Sequence, residues 1–233
     1  MTIITRAEKG SALTHAEHDN NFVELDKIPN GKVFPKEANV GIKLDVDDPA
    51  FGWHDLTGSL EVYGELGDAS REPFIGGLKS LQFDVSESAY VDFHIPHDYV
   101  PGTSLYIHVH WSHASATVTG GTCTWAFEII YAKGHNRGAF QAPVTASVVQ
   151  NASTIPYQHM IAETIATVAG GSGTAMATED VEVDGLIGCR LYLDSNDIVD
   201  SVTQPKPFAH FVDIHYQSSG IATKNRSPNF YGA

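Results

Sequence analysis

Basic residues are scarce in this chain of 233 residues, where 14 lysines and arginines stand against 28 aspartates and glutamates. The formal net charge of −14 at pH 7 repels the phosphate backbones of DNA and RNA. No run of apolar residues approaches the length of about 18 that a transmembrane helix needs. The composition therefore predicts a protein that binds no nucleic acid and does not insert into a membrane.

Cysteine is nearly absent as well, because Cys123 and Cys189 are the two in the chain. Two cysteines cannot build the disulfide framework of a small secreted domain. The first residues, 1–6, lack the apolar segment of a secretory signal. We therefore expect synthesis in a reducing cytoplasm, with both cysteines buried as small apolar side chains.

Motifs of catalysis and of phosphate binding are missing too. The chain contains neither G-x-G-x-x-G nor G-x-x-x-x-G-K-[ST], and it has no G-x-S-x-G nucleophile motif. Acids spaced two apart, such as Glu182 and Asp184, are expected to be solvated on one side of a strand. The sequence predicts no catalytic residue, no cofactor and no enzymatic activity.

The body of the chain, from about residue 80 onward, alternates apolar and polar residues with a period of two. Clusters of Gly, Pro, Asn and Ser separate the alternating runs. This pattern predicts an all-β fold, an antiparallel β-sandwich of jelly-roll type with about seven or eight strands. Trp111 and Trp125 are expected to meet in its core. The predicted core faces are Val91, Phe93 and Ile95; Leu105, Ile107, Val109 and Trp111; Cys123, Trp125, Phe127, Ile129 and Tyr131; Cys189, Leu191 and Leu193; and Phe208, His210, Val212, Ile214 and Tyr216.

The N-terminal residues 1–31 differ from the body and predict one short helix over residues 14–26. Thr14 and Glu17 have the spacing of a capping box, and Phe22 and Leu25 fall on one face. A helix this short is marginal by itself in water. We therefore expect it to pack against another surface.

Residues 32–79 form the third predicted segment, an acidic arm or long loop between the helix and the sandwich. Its apolar residues are scattered, and one strand is predicted at residues 60–66. The predicted organisation is thus an attachment segment (1–31), an arm (32–79) and a β-sandwich domain (80–233).

A metal motif is present in part on one predicted strand. Gly102, His108 and His110 have the G-x5-H-x-H spacing that opens the metal motif of cupins, and both imidazoles would project from one side of the strand. The glutamate that should follow within a few residues is missing, since the next acid is Glu128. We therefore predict no metal, with His108 and His110 as weak candidates on a polar or intersubunit face.

Two sets of residues resemble virion proteins of tailed bacteriophages. Residues 9–25, KGSALTHAEHDNNFVEL, resemble an N-terminal motif of phage fibre and appendage proteins. The segments HVHW (108–111), WAFEIIYAKG (125–134) and DIHYQ (213–217) resemble strands of a group of phage structural proteins. The resemblance implies a homotrimer in the virion that contacts other virion proteins through its N-terminal segment. The implied attachment residues are Leu13, Thr14, Glu17, Phe22 and Leu25.

The implied role is a short tail fibre or adaptor that displays its β-sandwich outward. The alternatives are a capsid decoration (cement or head-fibre) protein, a carbohydrate-binding module and a cupin-like metalloprotein. A host surface glycan is one expected partner, with exposed tyrosines such as Tyr157 and Tyr231 as candidate platforms for sugars. In trimeric phage fibres an H-x-H pair from each chain can also surround one iron, so His108 and His110 carry that alternative too.

Overall fold

The computed structural model describes residues 9–14, 32–35, 42–45, 51–220, 223 and 225–230. The chain divides into two compact units, residues 1–52 and residues 53–233. In the first unit, β1 (Lys32–Pro35) and β2 (Ile42–Asp45) pair antiparallel, with Lys32 opposite Asp45.

The predicted attachment segment is described only in part. Leu13 is half-buried and Thr14 is exposed. Residues 15–31 lie outside the described residues, and with them lie Glu17, Phe22, Leu25 and nearly all of the helix expected over 14–26.

The second unit is built almost entirely from strands. A short 3-10 helix (Thr178–Asp180) interrupts them. Among the described residues, no helix has the length and the apolar character needed to cross a membrane. The strands are β3 (Gly52–Gly58, beginning at the last residue of the first unit), β4 (Ser70–Pro73), β5 (Lys79–Gln82), β6 (Ser88–His94), β7 (Tyr106–Ser112), β8 (Val118–Ala132), β9 (Val144–Asn151), β10 (Met160–Ile165), β11 (Thr167–Val168), β12 (Met176–Ala177), β13 (Leu186–Asp200) and β14 (Phe208–Ser218).

Two larger sheets contain most of these strands. The six-stranded sheet, which we call the larger sheet, has the order β10-β7-β14-β5-β4, with β3 also paired to β14. The four-stranded sheet has the order β6-β13-β8-β9. The pairs with a defined register in both sheets are antiparallel, whereas the small β11-β12 pair is parallel. The predicted antiparallel β-sandwich is confirmed.

The core contains the apolar faces that the alternation predicts for β6, β7, β8 and β13. The side chains of Trp111 and Trp125 are fully buried, and their ring centroids lie 6.2 Å apart in an edge-on contact. Both cysteines are free and buried, as predicted. Burial raises the pKa of the Cys123 thiol to about 12, so this side chain stays neutral in the core.

Strand β14 departs from the prediction because its register shifts between Ala209 and Phe211. Ala209 faces Trp111 and Phe211 faces His110 across the pair with β7, so the extra residue of this bulge is His210. Val212, Ile214 and Tyr216 belong to the core, as predicted. His210 does not share their face, which corrects the predicted one-sided run from 208 to 216.

The acidic stretch from residue 53 to 79 is also different from the prediction of an arm with one strand at 60–66. It supplies β3 and β4 to the larger sheet, and residues 60–66 contribute an isolated bridge between Glu61 and Tyr90. Both strands lie at the margin of the sheet, and most of their side chains are exposed. A strand without a buried face shows no apolar alternation, so its sequence gives no signal of a strand.

Candidate functional site

The outer face of the larger sheet carries an unusual concentration of histidine. Because Ile107, Val109 and Trp111 of β7 point into the core, His108 and His110 point the opposite way. We call this face of the sheet, which is opposite the apolar core, the histidine face. Its members on the three adjacent strands are Tyr106, His108, His110 and Ser112 of β7; Phe211, Asp213 and His215 of β14; and Glu163 of β10.

The strand register places one acid on each side of His108. Glu163 of β10 and Asp213 of β14 are both its direct cross-strand partners. Directly opposed residues have their Cβ atoms about 4.5–5.5 Å apart, which brings such side chains into contact. The row Glu163–His108–Asp213 therefore follows from the pairing of three strands.

Asp213 is the buried centre of this face, with 4% of its surface exposed. Its Oδ1 atom contacts Nε2 of His108 and lies 3.2 Å from Nε2 of His110. Exposure is 1% for His108 and 7% for His110. A buried carboxylate needs such donors because an unpaired charge in the interior is costly.

His110 continues the network away from Asp213. Its Nδ1 atom lies 2.6 Å from Nε2 of His159, and its ring stacks on Phe211 with centroids 3.9 Å apart. Burial lowers the pKa of His110, and the neighbouring His108 and His159 lower it further, although Asp213 acts in the opposite direction. His110 is therefore a neutral imidazole at physiological pH.

His215 lies on the other side of His108, between two carboxylates. Its Nδ1 atom is 2.7 Å from Oε2 of Glu163, and its Nε2 atom is 2.8 Å from Oδ1 of Asp55. The rings of His215 and His108 have their centroids 4.2 Å apart. Asp55 comes from β3, so four strands contribute to this part of the face.

A pocket of about 410 Å³ opens at this end of the histidine face, lined by Trp53, Tyr106, Glu163 and His215. The indole of Trp53 is 52% exposed and meets the Tyr106 ring edge-on, with centroids 5.6 Å apart. The pocket thus combines two aromatic rings with a carboxylate and an imidazole. We call it the Trp53 pocket.

The bulged His210 occupies the opposite end of the face. Ser80 lies 3.0 Å from its Nδ1 atom, Ser112 lies 2.9 Å from its Nε2 atom, and Phe74 contacts its ring. Since Ser80 also donates to the carbonyl of Ala209, a neutral imidazole with its proton on Nδ1 satisfies both hydroxyls. Burial lowers the pKa of His210, in agreement with this arrangement.

A second group of histidines surrounds Asp184 elsewhere in the unit. Asp184 lies 2.8 Å from Nε2 of His97, 2.7 Å from Nε2 of His135 and 3.4 Å from Nε2 of His94. Burial raises the pKa of Asp184, but its contacts with these histidines outweigh burial, and the pKa falls below its ordinary value. Each ring directs one nitrogen at the same carboxylate, which is the pattern of several donors on one acceptor.

Comparison with known proteins finds no matching family model and no matching curated protein. The CBM22-1–GH10 modules of Clostridium thermocellum endo-1,4-β-D-xylanase 10B complexed with xylohexaose are 14% identical, over 70% of this chain and 26% of that one, with a TM-score of 0.33. A xylan-binding module CBM15 is 6% identical, over 72% of this chain and 97% of that one, with a TM-score of 0.34.

Arthrobacter globiformis T6 isomalto-dextranase complexed with panose is 12% identical, over 79% of this chain and 30% of that one, with a TM-score of 0.34. The chain thus spans less than a third of the length of two of these three structures. TM-scores this low assign neither a fold nor a function, so both rest on the residues of this chain.

The structure places the two histidines of the predicted H-x-H pair side by side on Asp213 of the same chain. Sequence reasoning did not find His215, Glu163, Asp55 or Trp53 as members of the same site. His215 and Asp213 stand in the DIHYQ segment at 213–217, which was the one available signal. The others come from different strands, and no spacing along the chain relates them.

Tyr157, one of the two tyrosines expected as sugar platforms, is not among the described residues that line the Trp53 pocket. Tyr157 is 41% exposed and packs edge-on against Phe74, at the His210 end of the histidine face. Tyr231 lies outside the described residues.

Proposed function

We propose that this chain is an appendage protein of a tailed-phage virion and that its β-sandwich binds a glycan in the Trp53 pocket. The Trp53 pocket is the single observation that favours glycan binding. The N-terminal motif at residues 9–25 supports the virion role. The proposed activity is binding without catalysis.

A sugar suits this pocket because it has both apolar faces and many hydroxyl groups. The exposed indole of Trp53 provides a flat apolar surface with a polar N–H at its edge. Glu163 and His215 stand beside it, and the Glu163 carboxylate can accept hydrogen bonds from hydroxyl groups. Pockets of a few hundred Å³ with aromatic walls and a few fixed polar groups are the usual form of small-ligand sites.

The virion role assigns separate tasks to the two ends of the chain. In this proposal, residues 1–31 attach the protein to the particle as a homotrimer, and the sandwich carries the pocket outward. Three linked pockets would bind a surface of repeated sugars more tightly than one, because the second and third contacts form at high effective concentration. The tail, as a short fibre or adaptor, is the proposed position, and capsid decoration is the alternative.

A glycan array with the full-length protein tests the proposed binding. We expect a defined set of glycans to bind, and we expect Trp53→Ala to weaken that binding about tenfold or more, since a central aromatic contact commonly contributes over 1.4 kcal/mol. Tyr63→Ala is the matched control, because Tyr63 is 67% exposed and packs on Tyr90 away from the pocket. An array without binders, or equal binding by Trp53→Ala and wild type, would contradict the proposal.

A further inference from the structure

We propose that Glu163 and His215 of the Trp53 pocket, together with the buried His108 that they contact, bind a divalent transition-metal ion. The ligands are Nδ1 of His108, Nδ1 of His215 and the carboxylate of Glu163. One ligand atom from each of these three residues lies within 4.8 Å of the other two. The proposal does not rest on glycan binding, because it follows from the nitrogen atoms of the two rings.

The Nε2 atoms of both rings already contact carboxylates. Nε2 of His108 contacts Oδ1 of Asp213, and Nε2 of His215 lies 2.8 Å from Oδ1 of Asp55. A carboxylate only accepts hydrogen bonds, so each Nε2 atom carries a proton. In the neutral ring, the Nδ1 atom then bears a lone pair and is the metal-binding nitrogen.

Both Nδ1 atoms point toward a third carboxylate instead of toward a donor. Oε2 of Glu163 lies 2.7 Å from Nδ1 of His215 and 3.5 Å from Nδ1 of His108. Nδ1 of His108 is buried and has no hydrogen-bond partner among the described residues. Two lone pairs and a carboxylate oxygen that converge in this way repel one another unless positive charge lies between them.

One divalent cation supplies the missing charge. Without it, each ring would need a second proton to hold its two carboxylates, which makes two additional positive charges in total. A metal at about 2.0–2.2 Å from each ligand atom leaves those atoms roughly 3–3.5 Å apart. The observed separations of 2.7 and 3.5 Å to Glu163 are close to that range.

The surroundings of the three ligands are those of a metal site. A histidine that binds a metal usually donates its other ring N–H to a carboxylate, which fixes the tautomer. Asp213 and Asp55 are in this position for His108 and His215. Two histidines with one carboxylate suit zinc, iron(II), cobalt(II) and similar ions, and three protein ligands leave at least one coordination position for water or another ligand.

Neither of the other two histidine groups described above has the same arrangement of ligand atoms. His108, His110 and Asp213 also lie close enough to share an ion. There, however, the Nε2 atoms of both rings contact the same buried carboxylate, and both can donate a hydrogen bond to it. The rings around Asp184 likewise direct their nitrogens at a single carboxylate. In the described part of the chain, His108 is the histidine that combines an unpartnered buried nitrogen with a facing carboxylate and a second ring.

The test is titration of tag-free, chelator-treated full-length protein with Co²⁺, followed by its visible absorption, and with Zn²⁺ by calorimetry. We expect one equivalent to bind per chain. We expect Glu163→Gln and His215→Ala to weaken binding tenfold or more while circular dichroism stays that of wild type. His110→Gln is the matched control and should bind as wild type does, because His110 belongs to the neighbouring group.

A measurement on the unaltered protein accompanies the variants, in case one of them fails to fold. Nitrogen-15 NMR of the histidine rings should show Zn²⁺ shifting the Nδ1 signals of two rings while their Nε2 atoms stay protonated. Absence of saturable binding below millimolar Zn²⁺ and Co²⁺ would overturn the proposal. Binding that His110→Gln removes, and that Glu163→Gln leaves intact, would overturn it as well.

Discussion

His210 shows how the fold decides the charge of a histidine. The bulge in β14 turns its ring onto the outer face of the sheet, where Ser80, Ser112 and Phe74 surround it and no carboxylate contacts it in the described structure. Desolvation therefore lowers its pKa, with a further contribution from His159 and His110. His215, which lies on the same strand as His210, contacts the carboxylates of Glu163 and Asp55 instead.

The lowered pKa of His210 makes stability depend on pH. Below the ordinary value of 6.5 the unfolded chain takes up a proton that the folded chain does not, so the free energy of unfolding falls as pH falls toward the folded pKa. We expect His210→Gln to lose less stability between pH 7.5 and pH 5.5 than wild type, measured by urea unfolding. Ser112→Ala should keep the wild-type pH dependence, because it leaves the imidazole buried.

The sequence revealed the His108–His110 pair of the candidate site but not the residues that surround it. The H-x-H spacing is local, and alternation along β7 places both rings on one side. Glu163, Asp213, His215 and Asp55 reach the pair across three other strands, and that proximity is a product of the sheet register. Sequence spacing carries no information on the register between strands whose paired residues are 55 and 105 residues apart, as are Glu163 and Asp213 from His108.

At the scale of single elements, the strands differ in how clearly their sequences mark them. β6, β7, β8 and β13 each bury an apolar face whose residues alternate as predicted, and in β7 the polar residues of the opposite face are buried as well. β3 and β4 bury little and were not recognised as strands. The β14 bulge was missed because one inserted residue reverses which side chains face the core, and the apolar pattern continues across it.

The long β8–β13 pair contains a position that strongly favours glycine. Gly121 has a φ of +88°, and a Cβ atom there would lie 2.2 Å from the backbone oxygen of Asp197 on the paired strand. We expect Gly121→Ala to lower the free energy of unfolding by about 1–3 kcal/mol, measured by urea unfolding, because both backbone strain and a steric clash oppose it. Gly138→Ala, where a Cβ would meet nothing within 4 Å, should change stability by less than about 0.5 kcal/mol. A loss as large at Gly138 as at Gly121 would contradict this explanation.

At the scale of the whole molecule, the core residues and the residues proposed for attachment lie in different parts of the sequence. The core members identified in the structure run from Leu60 to Phe230, within the second unit. The attachment residues Leu13 to Leu25 belong to residues 1–52, the other unit. Removing residues 1–31 should therefore spare the sandwich.

The central claim, that this chain is an appendage of a virion, is tested most directly on purified phage particles. Immunogold electron microscopy with an antibody against the sandwich should label the outside of particles that carry the full-length protein. Particles made with the chain lacking residues 1–31 should be unlabelled, although the truncated protein remains soluble in the lysate and melts cooperatively. Purified particles that contain no full-length protein would contradict the claim, and labelling of the truncated form at wild-type density would contradict the role of residues 1–31.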